Sequence, residues 1–389
     1  MTQRDQSRSR SFVICIAVAL CAIAFSIATS GGIEYALDKE LPTWSRDKAV
    51  LITGANAGLG LATALRIARA GTANTIILAC RNPSKCQVAM QDAVSILPEG
   101  ATTRVLTVEL DLSKRDSVMK GAHAIQEALS DQETADQDVV PDLDVLINNA
   151  GVAFAWNSKE FVEGVETHMA INHLSHFLLT HRLLPNLLAA AGKRTGANMS
   201  PPRVVHVSSL TAIGSWRDVS LGWKNPNPRK AMGRWFNFFD CIRYYSQSKR
   251  ANLMQTWELH KRYEGAGIIS VAAHPGYTRS EIFRKVQMPL SSGWIKELAT
   301  KNPYLSMSTD DGATMQLMAA FAPPDIVPSG SHVVPKYWTT GTPVLIPRLL
   351  SGFSLHYNSF SEKDTANLWD ASMKELGIEE FGKLESGMA

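Results

Sequence analysis

Short apolar runs alternate with amphipathic stretches from residue 49 onward. Ala49-Val50-Leu51-Ile52 reads as a buried strand that leads through a glycine-rich turn into a helix over Gly60 to Ala70. Further strands are predicted at Thr75–Ala79, Arg104–Val108, Leu143–Ile147, Val204–Val207 and Ile268–Ala273. Between them the spacing predicts helices from Ser84 to about Leu97, near Lys114–Leu129, over Lys159–Asn172 and His173–Ala191, and from Tyr245 to Glu264. Strands that alternate with helices in this way imply a parallel sheet wrapped by helices on both faces. The expectation is therefore an α/β fold, a doubly wound parallel sheet of the Rossmann kind with about seven strands, forming a single catalytic domain.

One segment breaks this rhythm. Residues 12–30, FVICIAVALCAIAFSIATS, carry no charge and follow Arg4, Arg8 and Arg10. At about 1.5 Å per residue such a run is just long enough to cross a bilayer, which predicts an N-terminal hydrophobic membrane anchor. Ala28-Thr29-Ser30 also suits a cleavage site, so a signal segment stays open. The expected division is 1–33 as anchor or signal, 34–46 as linker, 47–330 as the catalytic domain and 331–389 as a C-terminal extension near the substrate side. A transmembrane helix would tie the chain to a membrane, with the endoplasmic reticulum as the expected location and plastid or secretory targeting as alternatives.

Composition changes this picture little. With 389 residues, 45% hydrophobic and 19% charged, the chain can build a sizeable core, and disordered or collagen-like classes drop out. A net charge of +3 gives no reason to expect nucleic acid as a partner. Cys80, Cys86 and Cys241 show no CxxC or His-rich spacing, so they read as buried thiols with neither a disulfide framework nor a zinc site.

Chemistry is concentrated where strands end. The first strand runs into Thr53-Gly54-Ala55-Asn56-Ala57-Gly58-Leu59-Gly60 and then a helix. Glycines there let the backbone turn tightly and approach a pyrophosphate, while the helix N-terminus offers free N–H groups. Gly54, Asn56, Gly58, Leu59 and Gly60 are the candidate cradle. Where a carboxylate would grip an adenine-ribose hydroxyl, the second strand ends in Cys80-Arg81. A cation there suits a 2′-phosphate, so NADP(H) is expected over NAD(H). Tyr245 and Lys249 lie one helical turn apart, so an ammonium can make the phenol usable in proton transfer. Ser209 and Asn149 follow strands, at the edge where open α/β sheets bind ligands. His168, His173, His176 and His181 fall on a predicted apolar helix region and, with no carboxylate or cysteine partners assigned to them, read as packing residues and not metal ligands.

TGANAGLG at 53–60, Asp111-Leu112, NNAG at 148–151, Asn172 in INHLSHFLLT, Ser209 in VVHVSS, YSQSK at 245–249 and HPG at 274–276 occur in one order. In this set the chain resembles the short-chain dehydrogenase/reductase family over about residues 47–280. The resemblance implies Tyr245 as general acid/base, Lys249 as the group lowering its pKa and binding the nicotinamide ribose, Ser209 orienting the substrate carbonyl, and Asn172 holding a relay water. It also implies cofactor contacts from Asp111, Leu112, Asn149, Ala150 and Gly151, with Pro275 and Gly276 bordering the nicotinamide. Thr278 or Ser280 would reach the carboxamide.

Within the family, ACRN at 79–82, NHLSHFLLT at 172–180 and Asp364–Trp369 resemble retinol dehydrogenase and protochlorophyllide reductase-like members. Ala251 stands where the latter usually have cysteine. The implied activity is hydride transfer between NADP(H) and an apolar carbonyl or alcohol, such as a retinal-like compound, a long-chain aldehyde or a steroid. Alternatives are a double-bond reductase of the protochlorophyllide type and a non-catalytic, membrane-tethered NADP(H)-binding protein. Many relatives pair through the two long helices after strands four and five, so a homodimer is a possible assembly. Between Ser209 and Tyr245 lies a longer insertion than usual, with Trp216, Trp223, Trp235, Phe236, Phe238 and Phe239, beside the expected substrate pocket.

Overall fold

Uninterrupted burial shows where the sheet lies. β1 (Ala49–Thr53), β2 (Thr75–Cys80), β4 (Val145–Asn148), β5 (Arg203–Val207), β6 (Ile269–Ala273) and β7 (His332–Pro335) are buried at every position. β3 (Arg104–Glu109) is only partly buried, as befits an edge. The computed structural model describes residues 37–130, 140–153, 165–193, 200–214, 234–278, 306–336, 340–346 and 360–383, with backbone only at 213, 214, 234–241 and 346. Strand order is β3-β2-β1-β4-β5-β6-β7-β8, so the chain reverses its direction of growth between β1 and β4. Such a switch point opens a crevice at the carboxyl ends of the strands.

Alternation along each strand divides the core in two. Val50 and Ile52 of β1 face a layer made by α1 (Leu37–Trp44), α2 (Gly58–Ala70), α3 (Pro83–Ser95) and α7 (Thr309–Phe321). Leu51 faces the opposite layer of α4 (Arg115–Leu129), α5 (Ser175–Lys193), α6 (Arg234–Tyr263) and α8 (Glu362–Leu376). Burying both faces is what the continuous apolar strands require. α1 falls within residues 34–46 and anchors itself through buried Leu37 and Leu41.

Four expectations are corrected. The sheet has eight strands, and its last pair is antiparallel: β8 (Pro343–Ile346) pairs with β7 through Val333↔Leu345 and Val334↔Val344. β8 covers what would be an open parallel edge. Tyr245 sits near the middle of α6, not at its start, because no glycine or proline interrupts 234–263. Cys80 and Cys86 form a disulfide, with Cα atoms 5.8 Å apart. The strand–turn–helix return brings them within reach, so no CxxC spacing is needed.

The fourth concerns the membrane. Among the described residues no helix is long and apolar enough to cross a bilayer. α5 and α6 have the length, but α5 buries Thr180, Arg182 and Asn186 and α6 buries Gln255 and Glu258, polar groups that suit a protein interior and not lipid. The expected transmembrane helix, the N-terminal hydrophobic segment as part of the fold, membrane association and an endoplasmic-reticulum, plastid or secretory location are therefore not carried forward. Residues 12–30 lie outside the described residues, as do Trp216, Trp223 and Ser280.

α8 packs on the two helices through which pairing was expected. Trp369 and Phe381 meet Phe177 of α5 edge-on at 4.8 and 4.9 Å, and the Arg262 guanidinium of α6 stacks over Trp369 at 4.7 Å. On the opposite layer, buried Arg203 closes the end of α7. Its guanidinium donates to the carbonyls of Ala319 at 3.0 Å, of Val327 at 3.4 Å and of Ala322. A cation at a helix C-terminus is favourable, although burial lowers its pKa to about 9. Arg203→Ala should leave these carbonyls unpaired around a void and cost about 3 kcal/mol in urea unfolding, with Arg203→Met costing less. Equal stability of all three proteins would show that the contacts are incidental.

Candidate active site

The glycine loop is held by the end of the neighbouring strand. Thr53, the last residue of β1, accepts the backbone N–H groups of Asn149 and Ala150 on its hydroxyl at 3.0 and 2.9 Å. Its carbonyl accepts Asn149 Nδ2 at 2.8 Å. Gly54 and Gly58 have φ of 69° and 57°, a region that glycine enters at little cost. At Gly60 a Cβ would lie 2.5 Å from the Gly54 oxygen and 2.6 Å from Asn149 Nδ2, so the close approach of loop and strand end requires glycine. Ala57 precedes α2 without a side-chain cap, and no acidic residue occupies the first turn. Backbone N–H groups there keep their capacity for an anion. Asn56, Gly58 and Leu59 are half-buried around them, and Arg81 is exposed just beyond β2.

Asp111 and Asn149 spend their side chains on the protein. The Asp111 carboxylate accepts the Ser113 N–H at 3.0 Å and its hydroxyl at 2.7 Å, which shapes the turn after β3. Leu112 is buried, and its carbonyl accepts the Ser175 hydroxyl at 2.6 Å. Asn149 has both ends of its amide engaged, so cofactor contact would fall to backbone at this position.

Residues from four elements meet at the carboxyl edge of β4 and β5. A Cβ on Gly151 would stand 3.0 Å from Asn172 Oδ1 and 3.5 Å from Lys249 Nζ. Asn172 lies in a π-helical turn, Ala170–Leu174, between the opening turn Thr167–Met169 and α5. π-bulges of this kind recur at functional sites. Its amide accepts the Val152 N–H at 2.8 Å and donates to the Val152 carbonyl at 3.0 Å and the Ser248 hydroxyl at 2.9 Å. Lys249 Nζ donates to the Val207 carbonyl at 2.9 Å and lies 5.7 Å from the centre of the Tyr245 ring. Ser209, just past β5, hydrogen-bonds Tyr245, and Thr211 Oγ1 donates to Ser209 Oγ at 3.1 Å. Pro275 and Gly276 follow β6, and Thr278 is buried beside Met307. The structure thus gathers Gly151, Asn172, Ser209, Tyr245 and Lys249 at one place, with the glycine loop on the adjoining strand end.

Burial sets the electrostatics here. It pushes the Tyr245 phenol up to about 12, against a smaller lowering by the Ser209 hydrogen bond, and brings the Lys249 ammonium down to about 8. His176 is lowered to about 4 chiefly by burial and spans from the Asn172 carbonyl at 3.2 Å to the Thr53 hydroxyl at 3.0 Å. His173 is lowered to about 3 by burial, reinforced by His176. These two fit the packing role, and so does His181, also lowered by burial. His168 does not: its Nδ1 lies 2.7 Å from Glu166 Oε1, and its ring meets that of Tyr245 edge-on at 6.1 Å. The carboxylate partner was missed because Glu166 caps the turn that carries His168, accepting its N–H at 2.9 Å, a local feature the apolar pattern does not display.

The family model described as short chain dehydrogenase matches residues 48–219. Human retinol dehydrogenase 13 is 36% identical over 240 residues, a match covering 61% of this chain and 61% of that protein. Mouse retinol dehydrogenase 12 is 33% identical over 336 residues, covering 85% of this chain and 87% of that one. Among solved structures, the NADPH-bound carbonyl reductase from chicken fatty liver aligns with a TM-score of 0.51 at 21% identity, over 76% of this chain and 99% of that one, and so shares the fold.

Lys249 offers a test by pH. Its folded pKa of about 8 lies below the usual 10.5, so between these values the unfolded chain binds more protons and stability rises with pH. Below pH 8 the penalty for the buried ammonium is complete. Lys249→Met should therefore unfold later than wild type at pH 7, by about 1–3 kcal/mol. Val207 loses little, because its carbonyl also accepts Asn252 Nδ2 at 3.1 Å. The gain should vanish by about pH 10.5; a variant no more stable at pH 7 would refute the burial penalty.

Proposed function

We propose, for a chain that belongs to the short-chain dehydrogenase/reductase family, an NADP(H)-dependent oxidoreductase acting on an apolar carbonyl or its alcohol. The observation that carries this reading is the convergence of Gly151, Asn172, Ser209, Tyr245 and Lys249 beside the glycine loop. The residues suit the cofactor. An uncapped helix N-terminus without acidic neighbours fits a pyrophosphate, and exposed Arg81 fits a 2′-phosphate. Gly54, Asn56, Gly58, Leu59 and Gly60 would hold the phosphates, Asp111, Leu112 and Ala150 the adenosine side, and Pro275, Gly276 and Thr278 the nicotinamide side.

Bound there, the nicotinamide supplies or takes up the hydride. Ser209 holds the substrate oxygen, and Tyr245 gives it a proton in reduction or takes one in oxidation. In reduction the phenol starts protonated and buried, so it enters as an acid; in oxidation it must first lose its proton to act as base, and the Lys249 charge eases that loss in both directions. Positioning and general acid catalysis are the two effects invoked, each worth orders of magnitude in rate. Similarity to retinol dehydrogenases 12 and 13 favours a retinoid-like substrate among the apolar carbonyls and alcohols considered.

Tyr245→Phe should lower turnover about a thousandfold or more while NADPH still binds, measured by NADPH absorbance with a panel of retinal, long-chain aldehydes and steroids. Retained turnover would remove Tyr245 from the mechanism. Arg81→Ala should weaken NADPH by about tenfold or more and leave NADH unchanged. An equal effect on both cofactors would end the 2′-phosphate assignment.

A further inference from the structure

Three polar contacts tie the glycine loop to a helix outside the family's motifs. Gln316 of α7 is fully buried. Its Nε2 donates to Asn149 Oδ1 at 3.0 Å, and its Oε1 accepts the Thr63 hydroxyl of α2 at 3.0 Å. Donor and acceptor order leaves one arrangement. The Thr53 carbonyl can only accept, so Asn149 must aim Nδ2 at it and turn Oδ1 away. Oδ1 needs a donor, which obliges Gln316 to present its amide nitrogen and leaves Oε1 for Thr63. The Thr53 carbonyl thus orients the Asn149 amide and Gln316 holds its other end in place, and that amide rests 2.6 Å from where a Gly60 Cβ would be.

One turn earlier, Gly312 lies on the same face of α7. A Cβ there would come 2.2 Å from Thr278 Cγ2, 2.9 Å from Leu59 Cδ2 and 3.0 Å from the Pro275 oxygen. Thr278 has little room to yield, since it is buried and paired with Met307, whose N–H donates to the Tyr277 carbonyl at 2.8 Å. A single helix therefore abuts both flanks of the proposed cofactor site: Gln316 touches the loop side, and Gly312 the segment after β6.

We propose that Gln316 and Gly312 are positioning residues for the nicotinamide cofactor, Gln316 at its phosphate and adenosine end and Gly312 at its nicotinamide end. This rests on the cofactor reading above. The two roles separate when a ligand lacks the nicotinamide. Calorimetry on the full chain with NADPH and with adenosine 2′,5′-bisphosphate should find that Gln316→Leu weakens both ligands by about tenfold. Gly312→Ala should weaken NADPH by a similar factor and leave the bisphosphate within about twofold, because the hard contacts are with Thr278 and the Pro275 backbone, while at Leu59 only the flexible end of the side chain must turn and its backbone N–H stays in the loop. Gln316→Glu, which keeps the volume and the Thr63 bond but sets an acceptor against Asn149, should behave as Gln316→Leu and serves if the leucine variant fails to fold.

A merely structural role would lower the melting temperature without this split. Variants that bind both ligands as wild type does, or Gly312→Ala losing both equally, would overturn the proposal. Wild-type protein that binds neither ligand would instead overturn the cofactor reading beneath it.

Discussion

The junction of β1 with the end of β4 governs the molecule. One threonine, Thr53, receives two backbone N–H groups on its hydroxyl and the Asn149 amide on its carbonyl, and so satisfies polar groups that the parting strands would leave unpaired. This is the switch point of the sheet, where adjoining strands send their chains to opposite faces. The crevice exists because the chains diverge, and it keeps its shape because Thr53 and Asn149 tie them together at the point of divergence. Gly60 follows from the same constraint, since any side chain there would collide with the tie.

What lies in the crevice is held at a cost in stability. Lys249 and Tyr245 are both buried, and burial disfavours the charged form of each. The family chemistry needs those charged forms within reach. Compensation comes from fixed neighbours: the Val207 carbonyl for the ammonium and Ser209 for the phenol. A water-poor setting makes each remaining charge interaction stronger than it would be at the surface. The site is thus less stable than an apolar core of the same volume, and the large two-layer core around the sheet offsets that deficit.

Features set by neighbours in sequence were legible in advance, and features set by contact across the fold were not. The six parallel strands through Ile269–Ala273 announce themselves as apolar runs bounded by turns, and the glycine loop, Ser209, Tyr245 and Lys249 occupy local motifs. β7 and β8 escaped because strands of four residues flanked by proline carry almost no periodic signal. Gln316 is one polar residue in an otherwise apolar stretch of α7, and only the folded chain brings it to Asn149. The Cys80–Cys86 bond and the Glu166–His168 pair are close in sequence, yet neither spacing belongs to a recognised pattern. Residues 12–30, whose apolar composition predicts a span, lie outside the described residues, and among those described no helix is long and apolar enough to cross a bilayer.

Asn172 shows how far a motif can be taken once its bonds are counted. The family pattern makes it the holder of a relay water. Both of its amide hydrogens are already committed, to the Val152 carbonyl and the Ser248 hydroxyl, and its oxygen accepts the Val152 N–H. The side chain therefore binds the NNAG segment to α6 and has no N–H left for a water. Its main-chain carbonyl stands in the π-helical turn, where the regular hydrogen-bond ladder is interrupted. That carbonyl also meets His176 Nδ1, whose ring reaches Thr53 on the other side and stays neutral at working pH because its pKa is only about 4. The residue's identity therefore matters for what its side chain closes, the join between the end of β4 and α6.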